Sequence, residues 1–249
     1  MPLGQVKATV LVENTSDRAG LEAEHGFSVW IEAGDSKVLF DTGASGLVCD
    51  NAETLGIDLS EAGAIVLSHG HYDHTGGLAD VMKLARNARI YAHPAAGIDC
   101  SGRRVMLSRA SEIVVPGIRT TGEVARVSDF EPDNSARFPD DQAIFFEVDE
   151  GIVVVVGCAH AGIVNTLRQA VKLTKGKRIH AVFGGMHLLH ASGERLKKTV
   201  DALRKFGFDR IAPCHCTGEK AVKLFEREFP GAFLRCRTGT VMTFGGNSG

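Results

Sequence analysis

The chain has 249 residues, of which 44% are hydrophobic and 23% charged, and its formal net charge is −2. This balance excludes a largely disordered chain, and the near-neutral charge offers no bulk basic footprint for nucleic acid. No apolar run approaches the ~20 residues of a membrane helix, and the N-terminus lacks the cationic and apolar segments of an export signal, so a cytoplasmic protein is expected.

Short β runs come first, at residues 6–13, 28–33 and 37–40, where Val, Ile and aromatic residues stand between turn formers. A helix over 47–55, a buried-looking strand at 64–67, a helix over 78–86 and a strand at 89–92 follow. Between 97 and 141 chain breakers are frequent, and only 113–115 reads as a strand. Strands at 143–148 and 152–156 flank the turn Asp149-Glu150-Gly151. A helix over 162–175 sets Ile163, Leu167, Ala170 and Val171 on one face. A strand at 179–183, a helix over 193–206, a strand at 210–212, a helix over 219–229 and a strand at 241–244 complete the chain.

In the helix over 193–206, Lys197, Lys198, Arg204 and Lys205 alternate with Leu196, Val200, Leu203 and Phe206. That spacing reads as a solvated helix face rather than a nucleic-acid contact. No repeat or linker divides the sequence, so one domain over 1–249 is expected. Strands lead each half and strand–helix alternation follows, a pattern that two packed sheets with helices on both outer faces would bury. The six cysteines, at positions 49, 100, 158, 214, 216 and 236, form no compact framework and are expected as reduced thiols.

The chemistry concentrates in Ser68-His69-Gly70-His71-Tyr72-Asp73-His74-Thr75-Gly76-Gly77, directly after the apolar run at 64–67. Three imidazoles and a carboxylate fall within six residues at the end of a strand. His69 and His71 can converge on one ion while Asp73 and His74 face a second, with ligand types that Zn²⁺, Fe and Mn²⁺ favour. His160, His187 and His215 each follow another short apolar strand beside small residues, in the same topological place. Cys158, Cys214 and Cys216 flank these histidines and could offer thiolates to a metal, but alternation beside a ligand points them into the packing. His93 reads as structural, and His180 and His190 as exposed or capping. Asp140-Asp141 precedes a strand and can either order a loop or reach the site.

These segments resemble the metallo-β-lactamase-fold superfamily over nearly the whole chain. Leu39-Phe40-Asp41-Thr42-Gly43 is similar to its first motif, His69 to His74 to its second, His160 to its third and His215 to its fifth. The resemblance implies an αββα sandwich of two mixed sheets with helices on the outer faces. It implies His69, His71 and His160 on one divalent metal (zinc, or else Fe, Mn or Mg) and Asp73, His74 and His215 on another. Asp41 would hold the ligand loop by hydrogen bonds without touching metal. The fourth motif departs from the family pattern. Neither Asp201 nor Asp209 is placed to supply its bridging aspartate, and Gly184-Gly185-Met186-His187-Leu188 stands at that strand end. Either His187 replaces the bridging ligand, or that position is vacant and His187 touches substrate.

Leu11-Val12-Glu13-Asn14, Ala23-Glu24-His25-Gly26, the run from Gly157 to Asn165 and Cys214-His215-Cys216-Thr217-Gly218 further resemble one subgroup. Its members are the 7,8-dihydropterin-6-methyl-4-(β-D-ribofuranosyl)aminobenzene-5′-phosphate synthases. That resemblance implies transfer of a dihydropterin methyl group from its diphosphate to a ribofuranosylaminobenzene phosphate. The small-molecule substrate would be phosphorylated or pterin-like, with anion contacts from the helix starts after His160 and His215. Asp73, His187, Glu13 and His25 are the candidates for the catalytic set, with Glu13 and His25 either touching substrate or making structural hydrogen bonds. The alternatives are a metal-dependent hydrolase of a phosphoester, thioester or lactone, and a non-catalytic metal- or ligand-binding protein. No nucleic acid or membrane partner is implied, and a homodimer is compatible with the fold.

Overall fold

The computed structural model describes residues 2–99, 104–131 and 141–246. In chain order the first half runs β1 (Val6–Val12), β2 (Ser28–Ala33), β3 (Ser36–Phe40), α1 (Leu47–Thr54), β4 (Ala64–Val66), α2 (Tyr72–Thr75), α3 (Leu78–Leu84), β5 (Arg89–Ala92), β6 (Val105–Leu107), β7 (Ile113–Val115) and β8 (Ile118–Thr120). The second half runs β9 (Ala143–Val148), β10 (Gly151–Val156), α4 (Ile163–Leu173), β11 (Ile179–Gly185), α5 (Gly193–Arg204), β12 (Arg210–Cys214), α6 (Glu219–Glu228) and β13 (Val241–Phe244). One sheet has the order β13-β1-β2-β3-β4-β5-β6, and the other β12-β11-β10-β9-β8-β7.

Period-two alternation decides how these strands are buried. In β10, Val153 and Val155 face the other sheet, while Ile152, Val154 and Val156 pack beneath α4, α5 and α6. In β2, Val29 and Ile31 enter the core between the sheets, and Trp30 points outward to Val48 of α1 and Val81 of α3. Strands covered on both faces need apolar residues at every position, which is why Ile152 to Val156 is an unbroken aliphatic run. Each such side chain, fully buried, is worth about 1.5–3 kcal/mol. The result is the four-layer αββα sandwich that the resemblance implies.

The two outermost faces are polar where the sequence expects it. Leu196, Val200 and Leu203 of α5 face the sheet, and Lys197, Lys198, Arg204 and Lys205 are solvated. No helix among the described residues is long and apolar enough to cross a membrane.

Several boundaries differ from the sequence expectation. β11 continues through Gly184 and Gly185, and β12 reaches Cys214 in spite of Pro213. Proline is tolerated there because β12 is an edge strand. Residues 72–75 form one helical turn where a loop is expected. β6 and β8 escape the sequence reading: β8 carries Arg119 at its centre, and β6 is an edge strand with Leu107 nearly half exposed. Cys100 and Asp140 lie outside the described residues.

β3 and β4 run parallel, as do β10, β11 and β12, so their C-terminal ends reach one edge of the sandwich. β1 ends there too, after a register shift between Val10 and Val12. That bulge turns both Leu11 and Val12 to the helical side and re-aims the residues that follow.

Candidate metal centre

Asp41, just beyond β3, is the hub of the first ligand loop. Its Oδ1 accepts the Ser68 N–H at 2.7 Å, and its Oδ2 accepts the Ser68 hydroxyl at 2.7 Å. His74 Nδ1 lies 2.7 Å from the same Oδ2, with both side chains fully buried. Because the Ser68 hydroxyl donates to Asp41, it accepts from His69 Nδ1 at 2.9 Å. The network therefore assigns the hydrogen of His69 and of His74 to Nδ1 and leaves a lone pair on each Nε2. The one-turn helix α2 is pinned from behind, since the His74 carbonyl accepts both the N–H and the hydroxyl of Thr42.

The lone pairs converge. His69, His71 and His160 offer donor atoms within 4.8 Å of one another, and so do His25, Asp73 and His215. His215 Nδ1 lies 2.9 Å from Asn14 Oδ1, which also accepts the Gly26 N–H, so His215 likewise keeps its Nε2 lone pair. That Nε2 faces the His74 Nε2 at 3.2 Å, with Asp73 Oδ2 at 3.3 Å and 3.6 Å from the two. Two lone pairs at such a distance repel unless a cation or proton lies between them. His69 Nε2 is buried and has no hydrogen-bond partner among the described residues. This donor set fits a divalent metal.

Electrostatics favour the ligating forms of His69, His160 and Asp73. Burial, reinforced by neighbouring imidazoles, holds His69 well below the ordinary histidine range and His160 at about 2, so both stay neutral. Burial pushes His74 the same way, but Asp41 outweighs it and raises that ring, making it the more basic ligand. Burial would raise the Asp73 carboxyl, yet its hydrogen bond to His215 and the charge of His74 hold it below the usual carboxylate range.

Of the five non-glycine residues with positive φ among the described residues, four stand at this site: Asp41, Ala159, His187 and His215. Left-handed backbone at such residues costs about 1–3 kcal/mol each and clusters where function requires a side chain aimed against the chain's preference. Close backbone approach does the rest. A Cβ on Gly157 would lie 2.1 Å from the Ser68 hydroxyl, and one on Gly185 would lie 2.3 Å from the Gly157 carbonyl.

The remaining sequence candidates fall into three positions. Glu13 is buried, and both carboxylate oxygens are engaged: Oε1 accepts the His215 N–H at 2.8 Å, and Oε2 accepts the Thr15 N–H and hydroxyl. It orders the His215 loop, the structural side of the two roles expected of it. His25 stands at the exposed mouth with Nε2 3.3 Å from Asp73 Oδ2. His187 packs its ring 4.5 Å from that of His160 and groups with Cys158 and His160, not with His74 or His215. Asp141 accepts the Ala161 N–H and so orders the His160 loop.

Three expectations are corrected. The helix start after His160 is closed to anions, because the Glu131 carboxylate accepts the N–H groups of Val164 and Asn165 at 2.7 and 2.9 Å. Burial pushes that carboxyl up to about 7. His180 is buried in β11, where Nδ1 meets Asp209 at 2.8 Å, rather than exposed. Cys158 and Cys216 do not point into the packing as Cys214 does; both aim sulfur at the imidazole cluster. His93 is structural as expected and accepts the Ala95 N–H.

A cavity of about 1060 Å³ opens over the cluster. His71, Asp73, His160 and His215 form part of its floor, while Arg195, Arg235 and Arg237 stand on its wall. Arg195 donates to the His187 carbonyl at 3.3 Å, and its Nε is buried without a partner. Sequence reasoning missed these arginines, together with Asn14 and Ser68. Only Asn14 and Ser68 carried a signal, each adjoining a residue already singled out.

Fold and donor cluster together define a class. The chain belongs to the metallo-beta-lactamase superfamily, which matches residues 21–215, a family of enzymes that use divalent metals. It is 31% identical to the 7,8-dihydropterin-6-methyl-4-(beta-D-ribofuranosyl)-aminobenzene-5'-phosphate synthase of Methanocaldococcus jannaschii, over 98% of this chain and 99% of that protein. It is also 31% identical to an uncharacterized protein of the same organism, over 86% of this chain and 91% of the relative. Among solved structures, Tm1679, described as a metal-dependent hydrolase of the beta-lactamase superfamily, is 32% identical with a TM-score of 0.82, covering 95% of this chain and 98% of that one.

Proposed function

We propose that the protein is a transferase that joins a dihydropterin methyl diphosphate to a ribofuranosylaminobenzene phosphate and releases diphosphate. The observation that carries a phosphorylated substrate is the cavity, which opens onto clustered imidazoles and is lined by Arg195 and by two further arginines, Arg235 paired with Glu226 and Arg237 paired with Asp17. The pterin identity rests on the near-full-length relative named as that synthase. Tyr72, two-thirds exposed, and Leu189, more than half exposed, add apolar wall against which a flat ring can lie.

In this reading residues 1–249 act as one unit. His69, His71 and His160 hold one ion, and Asp73, His74 and His215 hold the other. When bound, the metal pair supplies Lewis acidity to phosphoryl oxygens. Asp41 and Ser68 fix the rings of His69 and His74, and Glu13 and Asn14 fix His215. Arg195, Arg235 and Arg237 balance the charge of the departing diphosphate. As the methylene carbon separates from its diphosphate oxygen, the amino nitrogen of the acceptor forms the new bond to that carbon. In this reading His187, outside both ligand sets and lining the cavity, takes the proton that this nitrogen releases. His25 contacts substrate at the mouth.

Phosphorus NMR on metal-loaded protein tests this directly. Diphosphate release that requires the aminobenzene acceptor supports the synthase reading, and release without acceptor refutes it. A second reading, hydrolysis of a phosphoester, thioester or lactone, is favoured by the description of Tm1679 as a hydrolase. Turnover on a panel of those esters would select it.

A further inference from the structure

Cys158 belongs to three of the five groups of His, Cys, Asp and Glu whose donor atoms converge within 4.8 Å among the described residues. One group joins it to His69 and His74, one to His160 and His187, and one to His215 and Cys216. No other side chain touches all of these sets. Its sulfur lies 3.2 Å from His74 Nε2, and the residue is 3% exposed. His69 Nε2, in the same group, is fully buried and has no hydrogen-bond partner among the described residues.

The spacing is that of two ligands on one ion. With metal–nitrogen and metal–sulfur bonds of about 2.0–2.1 and 2.3 Å, the two donors sit about 3.1 Å apart at a right angle and about 3.6 Å apart in a tetrahedron. The observed 3.2 Å falls inside that interval. The chain also displays cysteines that merely pack. Cys214 and Cys236 sit in the apolar core between the sheets and join none of the donor groups found among the described residues. Cys216 is the nearest rival: its sulfur accepts the His187 N–H at 3.3 Å, and against the cost of burial its hydrogen bonds to Cys158 and His187 hold its thiol below the ordinary range. Yet it joins only one donor group, and that group contains none of His69, His71 and His74.

The geometry points to Cys158 as a thiolate metal ligand lying between the two histidine sets. The inference rests on the metal-centre reading above. Burial favours the neutral thiol in the metal-free chain, and a coordinated cation removes that proton outright. The loop supports the placement: Gly157 brings the strand end against Ser68 and Asp41, and Ala159 takes a left-handed φ of 51° between Cys158 and His160. A soft sulfur donor among imidazoles selects zinc or iron and disfavours magnesium, narrowing the choice of metal.

X-ray absorption at the metal edge of the zinc-loaded full chain reads this without any variant. A sulfur shell at about 2.3 Å is expected beside nitrogen and oxygen neighbours. The cobalt-substituted protein should show a thiolate-to-cobalt charge-transfer band that persists in Cys216→Ser and disappears in Cys158→Ser. Should Cys158→Ser fail to fold, persistence of the sulfur shell in Cys216→Ser still supports the inference, since Cys214 and Cys236 join no donor group among the described residues. Metal bound with nitrogen and oxygen neighbours only, or a band lost in Cys216→Ser and kept in Cys158→Ser, overturns it while leaving the metal centre standing. A chain that binds no metal overturns both.

Discussion

Replacing Asp41 by asparagine should weaken the metal-free fold and the metal site together. Asparagine keeps one carbonyl oxygen, which can accept the Ser68 N–H in place of Oδ1. Its amide nitrogen then faces the Ser68 hydroxyl and His74 Nδ1, both held 2.7 Å from Oδ2 in the native chain. Two hydrogen bonds to a charged acceptor are lost, each worth about 1.5–3 kcal/mol. Reorienting the hydroxyl and shifting the His74 hydrogen to Nε2 recovers part, so a net loss of about 3 kcal/mol is expected. At roughly 2–4 °C per kcal/mol for a chain of this size, the metal-free thermal midpoint falls by about 6–12 °C. The tautomer shift carries the functional consequence. With its hydrogen on Nε2, His74 presents a donor where the cluster needs a lone pair, and zinc affinity drops by about 10–100-fold. Calorimetry on the metal-free chain and competition against a chromophoric chelator measure the two effects. An Asp41→Asn protein with native zinc affinity would refute the assignment of His74 as an Nε2 ligand oriented by Asp41.

Other substitutions probe separate parts of the site. Gly157→Ala puts a Cβ 2.1 Å from the Ser68 hydroxyl and 2.8 Å from Asp41 Oδ2. It should cost about 1–3 kcal/mol in denaturant titration, and an unperturbed midpoint would show that the strand end can yield. Glu131 holds a proton in the folded chain up to about pH 7, whereas the unfolded chain releases it near the ordinary glutamate value of 4.5. Its stabilising contribution is therefore complete below that lower value and is lost as pH rises through about 7, by roughly 3 kcal/mol in total. Comparing stability from pH 4 to 8 for the native chain and Glu131→Gln should reveal that slope only in the former, and identical slopes would contradict it. Arg195→Ala should lower kcat/KM for a diphosphate substrate by about 10–100-fold, with kcat falling too, as expected for one lost charge-assisted contact to the leaving group. An unchanged kcat/KM would remove Arg195 from the anion wall.

Much of the architecture was legible because strands buried on both faces advertise themselves. The unbroken Ile152 to Val156 run and the alternating helix over 193–206 each admit one placement. The ligand cluster was legible for a different reason: His69, His71, Asp73 and His74 share one loop, so sequence proximity stands in for spatial proximity. What the chain hid depends on long-range contact. The three arginines sit on elements remote in sequence from the ligand loop, and Glu131 closes a helix start 33 residues away. Cys158 misled through a sound rule applied at the wrong place. Alternation directs Cys158 away from a ligand two residues later only if the strand continues, but β10 stops at Val156 and Ala159 turns left-handed. Pro213 misled in the opposite sense, because an edge strand forgives the hydrogen bond that proline cannot donate.

Strain and rigidity meet at the same edge of the sandwich for a physical reason. Asp41, His187 and His215 each adopt a left-handed backbone one or two residues past the end of a strand, where the ladder no longer dictates φ. Within the sheet such a conformation would break pairing on both sides, and far beyond it nothing would hold the residue there. The first residues after β3, β11 and β12 satisfy both demands, since the strands behind them are anchored in apolar cores on both faces. Each strained residue is also gripped locally: Asp41 by Ser68 and His74, His187 by Cys216 and Arg195, and His215 by Glu13 and Asn14. Releasing one grip should therefore relax a single ligand toward ordinary backbone geometry while the sheets remain intact. Glu13→Gln is the clean case, because glutamine can retain the Thr15 bonds or the His215 bond but not both sets with equal strength. Its expected signature is weaker zinc binding at nearly native stability, and a loss of stability without any loss of affinity would mean that Glu13 serves the fold alone.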